Sequence, residues 1–318
     1  MAAGIAQAAV HDADPELFLS KEEFVEATPL IDGTPAVDKG RQPSVGPSFL
    51  SILRQLYDSP QLTPVLPYDA DALLSKRVKD FVAGGTRLTE LKRVVAQFDP
   101  GTTHAALEAR VEELVSVSTL LVFGTGKPDR KPRLDFFLMH LLTSSLFVPS
   151  FFKYMPSVEN KRALLRTYVQ PWGIILMTRG RPRIDPALLM SYDAYPLPPD
   201  VPKPQPSAAG VAMRADFNPW PLIIADAIHA PDSHTIKSLR TLLYGATRYG
   251  TIPKGGFIGS LGADGKETHA GMKEVDGTIF VRAAGVLMDT LGWVTHGQVK
   301  GGWDRSALGW DDAWKVQE

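Results

Sequence analysis

Apolar residues recur at three- and four-residue spacing in three blocks between Ser48 and Phe98: "SFLSILRQLYDS", "DADALLSKRVKDFV" and "RLTELKRVVAQF". Turns bearing Pro or Gly separate them, so the pattern predicts three amphipathic helices packed by one face. A longer helix is predicted in "HAALEARVEELVSVSTLLVFGTG". There Glu108, Glu112 and Glu113 give way to a wholly apolar end at Leu120 to Phe123 before Gly124 stops the helix, so its far end must enter the core. Leu134 to Phe152, "LDFFLMHLLTSSLFVPSFF", is the most apolar stretch, and its 19 residues just reach the length of a membrane span. Asp135 and His140 would be costly in lipid and Pro149 interrupts the run. The expectation is therefore the central helix of a large α domain, apolar all round, followed by a core helix from Lys161 to Thr178.

Six prolines crowd "YPLPPDVPKPQP" from Tyr195 to Pro206, which excludes helix and predicts a linker or surface crossing. Beyond it, "PWPLIIADAIH" and "DSHTIKSLRTLLYGATRYG" predict a helix pair, the second capped by Asp232 or Ser233 and ended by Gly250. A glycine-rich irregular stretch follows, with a short hairpin at Ala263 to Gly265, then a helix from Thr278 to Leu291. The tail holds Trp293, Trp303, Trp310 and Trp314. Strand signals are few. The fold class is mainly α: one large helical domain over residues 1–318 with long irregular loops and a Pro-rich crossing at 195–206. The opening "MAAGIAQAAVHD" has no capping residue before it, so it reads either as the second half of a helix or as a frayed end.

Charge and composition narrow the function. Lys and Arg total 34 against 35 Asp and Glu, so nothing in the net charge draws the chain to nucleic acid or to an anionic membrane. With no charged leader ahead of an apolar run, a signal peptide is not expected, and a cytoplasmic location is. Cysteine is absent, which removes disulfides, zinc ribbons, iron–sulfur clusters and thiolate nucleophiles together. Any metal chemistry falls to seven histidines and the carboxylates. "FGTGKP" has Leu121 for the first glycine of a phosphate loop and Pro128 where a hydroxyl should hold magnesium. No dinucleotide fingerprint and no H-E-x-x-H occurs. "IGSLG" around Ser260 only approximates a nucleophile elbow.

Histidines at unusual places remain. His140 lies within the most apolar stretch, with Phe136, Phe137, Thr143 and Ser144 at helical spacing, so its ring should point into the interior or a cavity. It is either a core histidine bonded to a neighbouring hydroxyl or carbonyl, or a metal ligand whose other nitrogen is held, Asp135 being one partner. His229 ends one predicted helix; His234 and Lys237 share a face of the next. That face is either simply solvated or, if the helix is sandwiched, the lining of a cavity. A desolvated Lys237 carbamylated by carbon dioxide would present a carboxylate beside His234. The tail holds His269, Asp276, Arg282 and "GGWDRSALGWDDAW", whose tryptophans, interleaved with Asp304, Arg305, Asp311 and Asp312, could stack on a flat aromatic ligand, although such tails more often cover a core.

"KPRLDFFLMHLLTSSLF", "PWPLIIADAIHAPDSHTIKSLRTLLYGATRYG", "HAGMKEVDGTIFVRAAGVLMDTLGWV" and "GGWDRSALGWDDAW" together resemble the questin oxidase-like family of fungal oxygenases. The resemblance extends to "GIAQAAVHD" and "FVEATPLIDGTPAVDKGRQPSVGPSF". It implies an oxidoreductase of secondary metabolism that opens an anthraquinone or other polycyclic polyketide ring, as a monooxygenase or a dioxygenase, with O2 as co-substrate and NADPH as reductant. With no flavin fingerprint, non-haem iron (Fe2+) is the better match. The candidate ligands are then His140, His234, carbamylated Lys237 and, more weakly, His229. Asp135 and Arg240 become supporting catalytic residues, and His269, Asp276 and Trp303 substrate contacts. The family resemblance also implies helices ahead of residue 1, so the fold is expected to lack its N-terminal helices. A non-catalytic helical relative that keeps an aromatic-ligand cavity is the alternative.

Overall fold

In the computed structural model, residues 41–43, 45–83, 85–202 and 217–315 are described, and the opening segment and residues 203–206 of the Pro-rich crossing lie outside them. Eleven α-helices form among the described residues, with two isolated bridges in place of any sheet. They are α1 (Phe49–Asp58), α2 (Leu74–Ala83), α3 (Thr86–Val95), α4 (His104–Phe123), α5 (Phe136–Ser145), α6 (Val148–Phe152), α7 (Val158–Thr178), α8 (Pro186–Ser191), α9 (Trp220–Ala227), α10 (Ser233–Tyr249) and α11 (Ile279–Leu291). None of the described helices is long and apolar enough to cross a membrane.

The central helix is α4, not the more apolar stretch that follows it. Thr103 caps α4 by accepting from the Ala106 amide (3.1 Å), and Gly124 ends it. From Arg110 to Phe123 every residue is buried, against α1, α5, α8, α10 and α11. Its buried charges are matched in place: the Arg110 guanidinium lies 2.7 Å from Glu113 and donates to the carbonyls of Pro47, Val45 and Asp99. The Phe49 amide donates to the same Glu113 carboxylate, so an ion pair inside α4 fixes the start of α1.

The expected single helix from Leu134 to Phe152 is broken into α5 and α6. Asp135 starts α5 by accepting from the amides of Phe137 (2.8 Å) and Leu138 (3.1 Å). The chain turns at Leu146 and Phe147, and Pro149 occupies the first turn of α6, where its missing N–H costs nothing. The break leaves Phe147 and Phe151 about half exposed, at 52% and 47%. The tail closes on the start of α5. Asp304 accepts from the Phe136 amide (2.7 Å) and donates its own amide to Leu134 (2.8 Å), while Arg133 reaches Asp304 and the Ala313 carbonyl. Trp293, Trp310 and Trp314 are buried, which is the covering role expected of such a tail.

On α10 the buried face carries Thr235, Ser238, Thr241 and Gly245 besides Leu239 and Leu242. Small residues let α11 approach closely; a Cβ at Gly245 would sit 2.4 Å from the Phe280 ring. Asp232 caps α10 through the His234 amide (2.9 Å), and Gly250 ends it. The short hairpin is present as a bridge between Leu261 and Glu267. Residues 195–202 run without helix, Pro196 lying against Gly285 of α11.

Candidate functional site

Where α5, α7 and α10 diverge they leave a cleft of about 570 Å³, walled mainly by apolar side chains, Leu141, Trp172 and Ile175 among them. His140 of α5 and His234, Lys237 and Arg240 of α10 all line it. The polar face of α10 thus lines a cavity and meets water as well: His140, Lys237 and Arg240 are exposed at its mouth, so His140 is not an interior residue and Lys237 is not desolvated as expected.

The two imidazoles are held alike. Nδ1 of His140 meets the Phe136 carbonyl at 2.8 Å, and Nδ1 of His234 meets the Asp232 carboxylate at 2.7 Å. Each contact orders a proton on Nδ1 and leaves Nε2 as the free nitrogen, the arrangement that outer partners impose on metal-binding histidines. The ring centres are 5.4 Å apart. Two imidazoles on one ion, with metal–nitrogen bonds of about 2.1 Å, put their ring centres roughly 5 Å apart, so the spacing alone is compatible with a shared cation. Burial pushes the His140 pKa below its ordinary value; its carbonyl partner opposes this, and the charges of His234, Lys237 and Arg305 add to it. Although partial burial opposes it, the amide and ring of His234 hold the Asp232 carboxyl below its usual range.

Phe136 organises the pair. Its ring lies 4.8 Å from His140 and 5.0 Å from His234, and the Arg305 guanidinium covers it at 3.7 Å. On the opposite wall the Tyr168 hydroxyl is 2.7 Å from Ser144 Oγ and donates to the Leu141 carbonyl at 2.9 Å. The sequence alone does not single out Tyr168 or Trp172, although their spacing, four apart on a helix, is a signal; Arg305 stands out only among the charges of the tail, with nothing local to tie it to His140.

The other expected residues lie elsewhere. Asp135 does not reach the His140 ring. It is 1% exposed, with one oxygen on two amides and the other 2.8 Å from Arg179 Nε. It is the cap of α5 and half of a buried ion pair, and burial pushes its carboxyl up against the pull of Arg179. His229 is exposed beyond α9 and does not line the cleft. His269 packs edge-on to Tyr57 (5.8 Å) with both ring nitrogens buried and unbonded among the described residues, and burial drives its pKa down to about 4. Asp276 accepts from the amide (2.9 Å) and hydroxyl of Thr278 at the head of α11. Trp303 packs on the main core with its Nε1 unbonded among the described residues. The structure does not bring these three to the cleft. Ser260 is fully buried in the loop that follows Gly259.

A family profile described as questin oxidase-like matches residues 1–242. The chain belongs to the questin oxidase-like family. The matched stretch holds every residue of the histidine cleft, from His140 through Arg240, and excludes His269, Asp276 and Trp303. No curated protein matches the chain. Family membership makes it an oxidoreductase of the oxygenase type in general terms. Iron is a separate question of donors. Among the described residues no group of three His, Asp or Glu side chains could hold a metal ion. As unmodified residues, the cleft offers two ligands and an amine, short of a complete ferrous site.

Proposed function

We propose that this questin oxidase-like protein is an oxygenase that binds a flat polycyclic aromatic of polyketide type in the histidine cleft and uses O2 to open or oxygenate a ring. The observation that carries this reading is the pairing of His140 and His234, Nδ1 anchored and Nε2 free, on one largely apolar cleft inside the family-matched region. Fe2+ would be held by His140 and His234, with Lys237 as its carbamate supplying the oxygen ligand that the unmodified residues lack. Bound there, iron would supply the one-electron chemistry that dioxygen needs, with NADPH or a reduced aromatic as the electron source.

The chain's own contributions follow from the walls. Trp172, Ile175 and Leu141 exclude water and favour a flat apolar body. Lys237 and Arg240 set positive charge where a phenolate or enolate oxygen of such a ligand would lie. Tyr168, its proton committed to the Leu141 carbonyl, holds the α5–α7 wall in place. Asp232 keeps the His234 ring in one tautomer.

Protein purified without chelators and reconstituted anaerobically with Fe2+ and bicarbonate should bind about one iron and, given a reduced anthraquinone under 18O2, put labelled oxygen into a ring-opened or hydroxylated product above the protein-free blank, which records spontaneous autoxidation to quinone and hydrogen peroxide. His140→Ala and His234→Ala should each abolish iron retention and label incorporation. Full incorporation by iron-free protein would overturn the metal reading. The absence of a third unmodified ligand among the described residues supports a second reading, a cavity protein that binds the aromatic without turnover. In that case His140→Ala alters stability and binding, and neither form puts labelled oxygen into the aromatic.

A further inference from the structure

A second hollow of about 530 Å³ abuts the histidine cleft, and the two share Leu146, Phe147 and Arg240 as a common sill. Its walls are aromatic and cationic: Phe152, Tyr244 and Tyr249 beside Lys153, Lys161 and Arg248. Glu108 is the one carboxylate on this wall, and it is already engaged, 3.6 Å from His104 and 3.8 Å from Arg248. Lys153, Lys161 and Arg240 have no ion-pair partner among the described residues; Lys161 leans only on the Phe152 ring, at 5.9 Å. Lys153 and Arg240 are exposed and Lys161 is half-buried, so water screens their mutual repulsion in part, but three unpaired like charges on one concave wall still favour an anion between them. The shared sill argues that the anion and the aromatic in the neighbouring cleft belong to one molecule.

We infer that this hollow is a carboxylate subsite: a ligand lays its ring system in the histidine cleft and directs an attached carboxylate over the sill to Lys153, Lys161 and Arg240. The guanidinium at the sill suits a planar carboxylate, and the two lysines add point charge behind it. The inference rests on the reading that a flat aromatic occupies the histidine cleft, and it adds which substituent such a ligand carries.

The test compares anthraquinone-2-carboxylate with its neutral counterpart 2-(hydroxymethyl)anthraquinone by quenching of tryptophan fluorescence in the full chain. At low salt the carboxylate should bind at least tenfold more tightly, and the preference should shrink as salt rises. In the double variant Lys153→Gln/Lys161→Gln, with the helical circular-dichroism signal unchanged, the preference should fall to about twofold while the neutral ligand keeps its affinity. Equal affinities in the wild type, or a preference that survives in the double variant, would overturn the subsite and leave the aromatic cleft standing. Failure of both ligands to bind removes the aromatic cleft and the subsite with it. A preference lost as expected, without any oxygen uptake, supports the subsite and counts only against the oxygenase.

Discussion

Asp135 shows how a polar residue in an apolar run can be visible and still be misread. Its position predicted a role beside His140, yet its oxygens go to two amides of α5 and to Arg179, 44 positions away. No local spacing announces a partner so distant. Both Nη atoms of Arg179 are buried with no acceptor among the described residues, so the guanidinium depends on that one carboxylate. Asp135→Asn should therefore cost about 3–5 kcal/mol in urea unfolding, the usual result of stranding a buried charge. A loss below 1 kcal/mol would show that water reaches the guanidinium. His269 gives a prediction in pH. The unfolded imidazole takes a proton below its ordinary 6.5, while the folded one resists until about 4. The unfolded state thus binds more protons in that window, and stability falls as pH drops through it, by up to about 3 kcal/mol at the acid end. His269→Leu should flatten this dependence between pH 6.5 and 4. Parallel curves for the two proteins would contradict the burial of the ring.

At the scale of elements, periodicity located the helices well wherever one face was apolar and the other polar. α1 and α10 lie inside the blocks that the spacing marked, and α2 and α3 each run one residue past theirs. It failed where a segment was apolar all round, because burial then leaves no phase to read. α4 and the run from Leu134 to Phe152 both looked central, and three-dimensional packing decided between them. The break before α6 was signalled by Pro149, but which side of it would face solvent was not. Close approach of α10 and α11 rests on Gly245 under the Phe280 ring. Gly245→Ala should destabilise by about 1–3 kcal/mol through overpacking, measured by denaturant unfolding. Because α10 carries His234, Lys237 and Arg240, the same variant should also weaken binding of a neutral anthraquinone severalfold. Unchanged affinity would mean that the cleft tolerates a shift of α10.

For the whole molecule, the mainly α class and the histidine pairing were both legible, the first from pattern and the second from the family-like motifs. What brings His140 and His234 to 5.4 Å is the packing of α5 against α10, which neither segment contains. The tail was read as a cover, and it also positions the site: Arg305 sits on Phe136, which touches both imidazoles. Arg305→Ala should leave the fold intact and raise the His140 pKa, because the guanidinium is one of the charges that disfavour the imidazolium, as read from the imidazole signals in an NMR pH titration. An unaltered titration would confine Arg305 to the surface.

The clasp of Asp304 on the start of α5 carries a further consequence for biosynthesis. Arg133 and Asp304 are 171 positions apart. On the ribosome, α5 emerges long before the segment that pairs with its first residues. The wall bearing His140 therefore cannot gain this support until the tail has been synthesised.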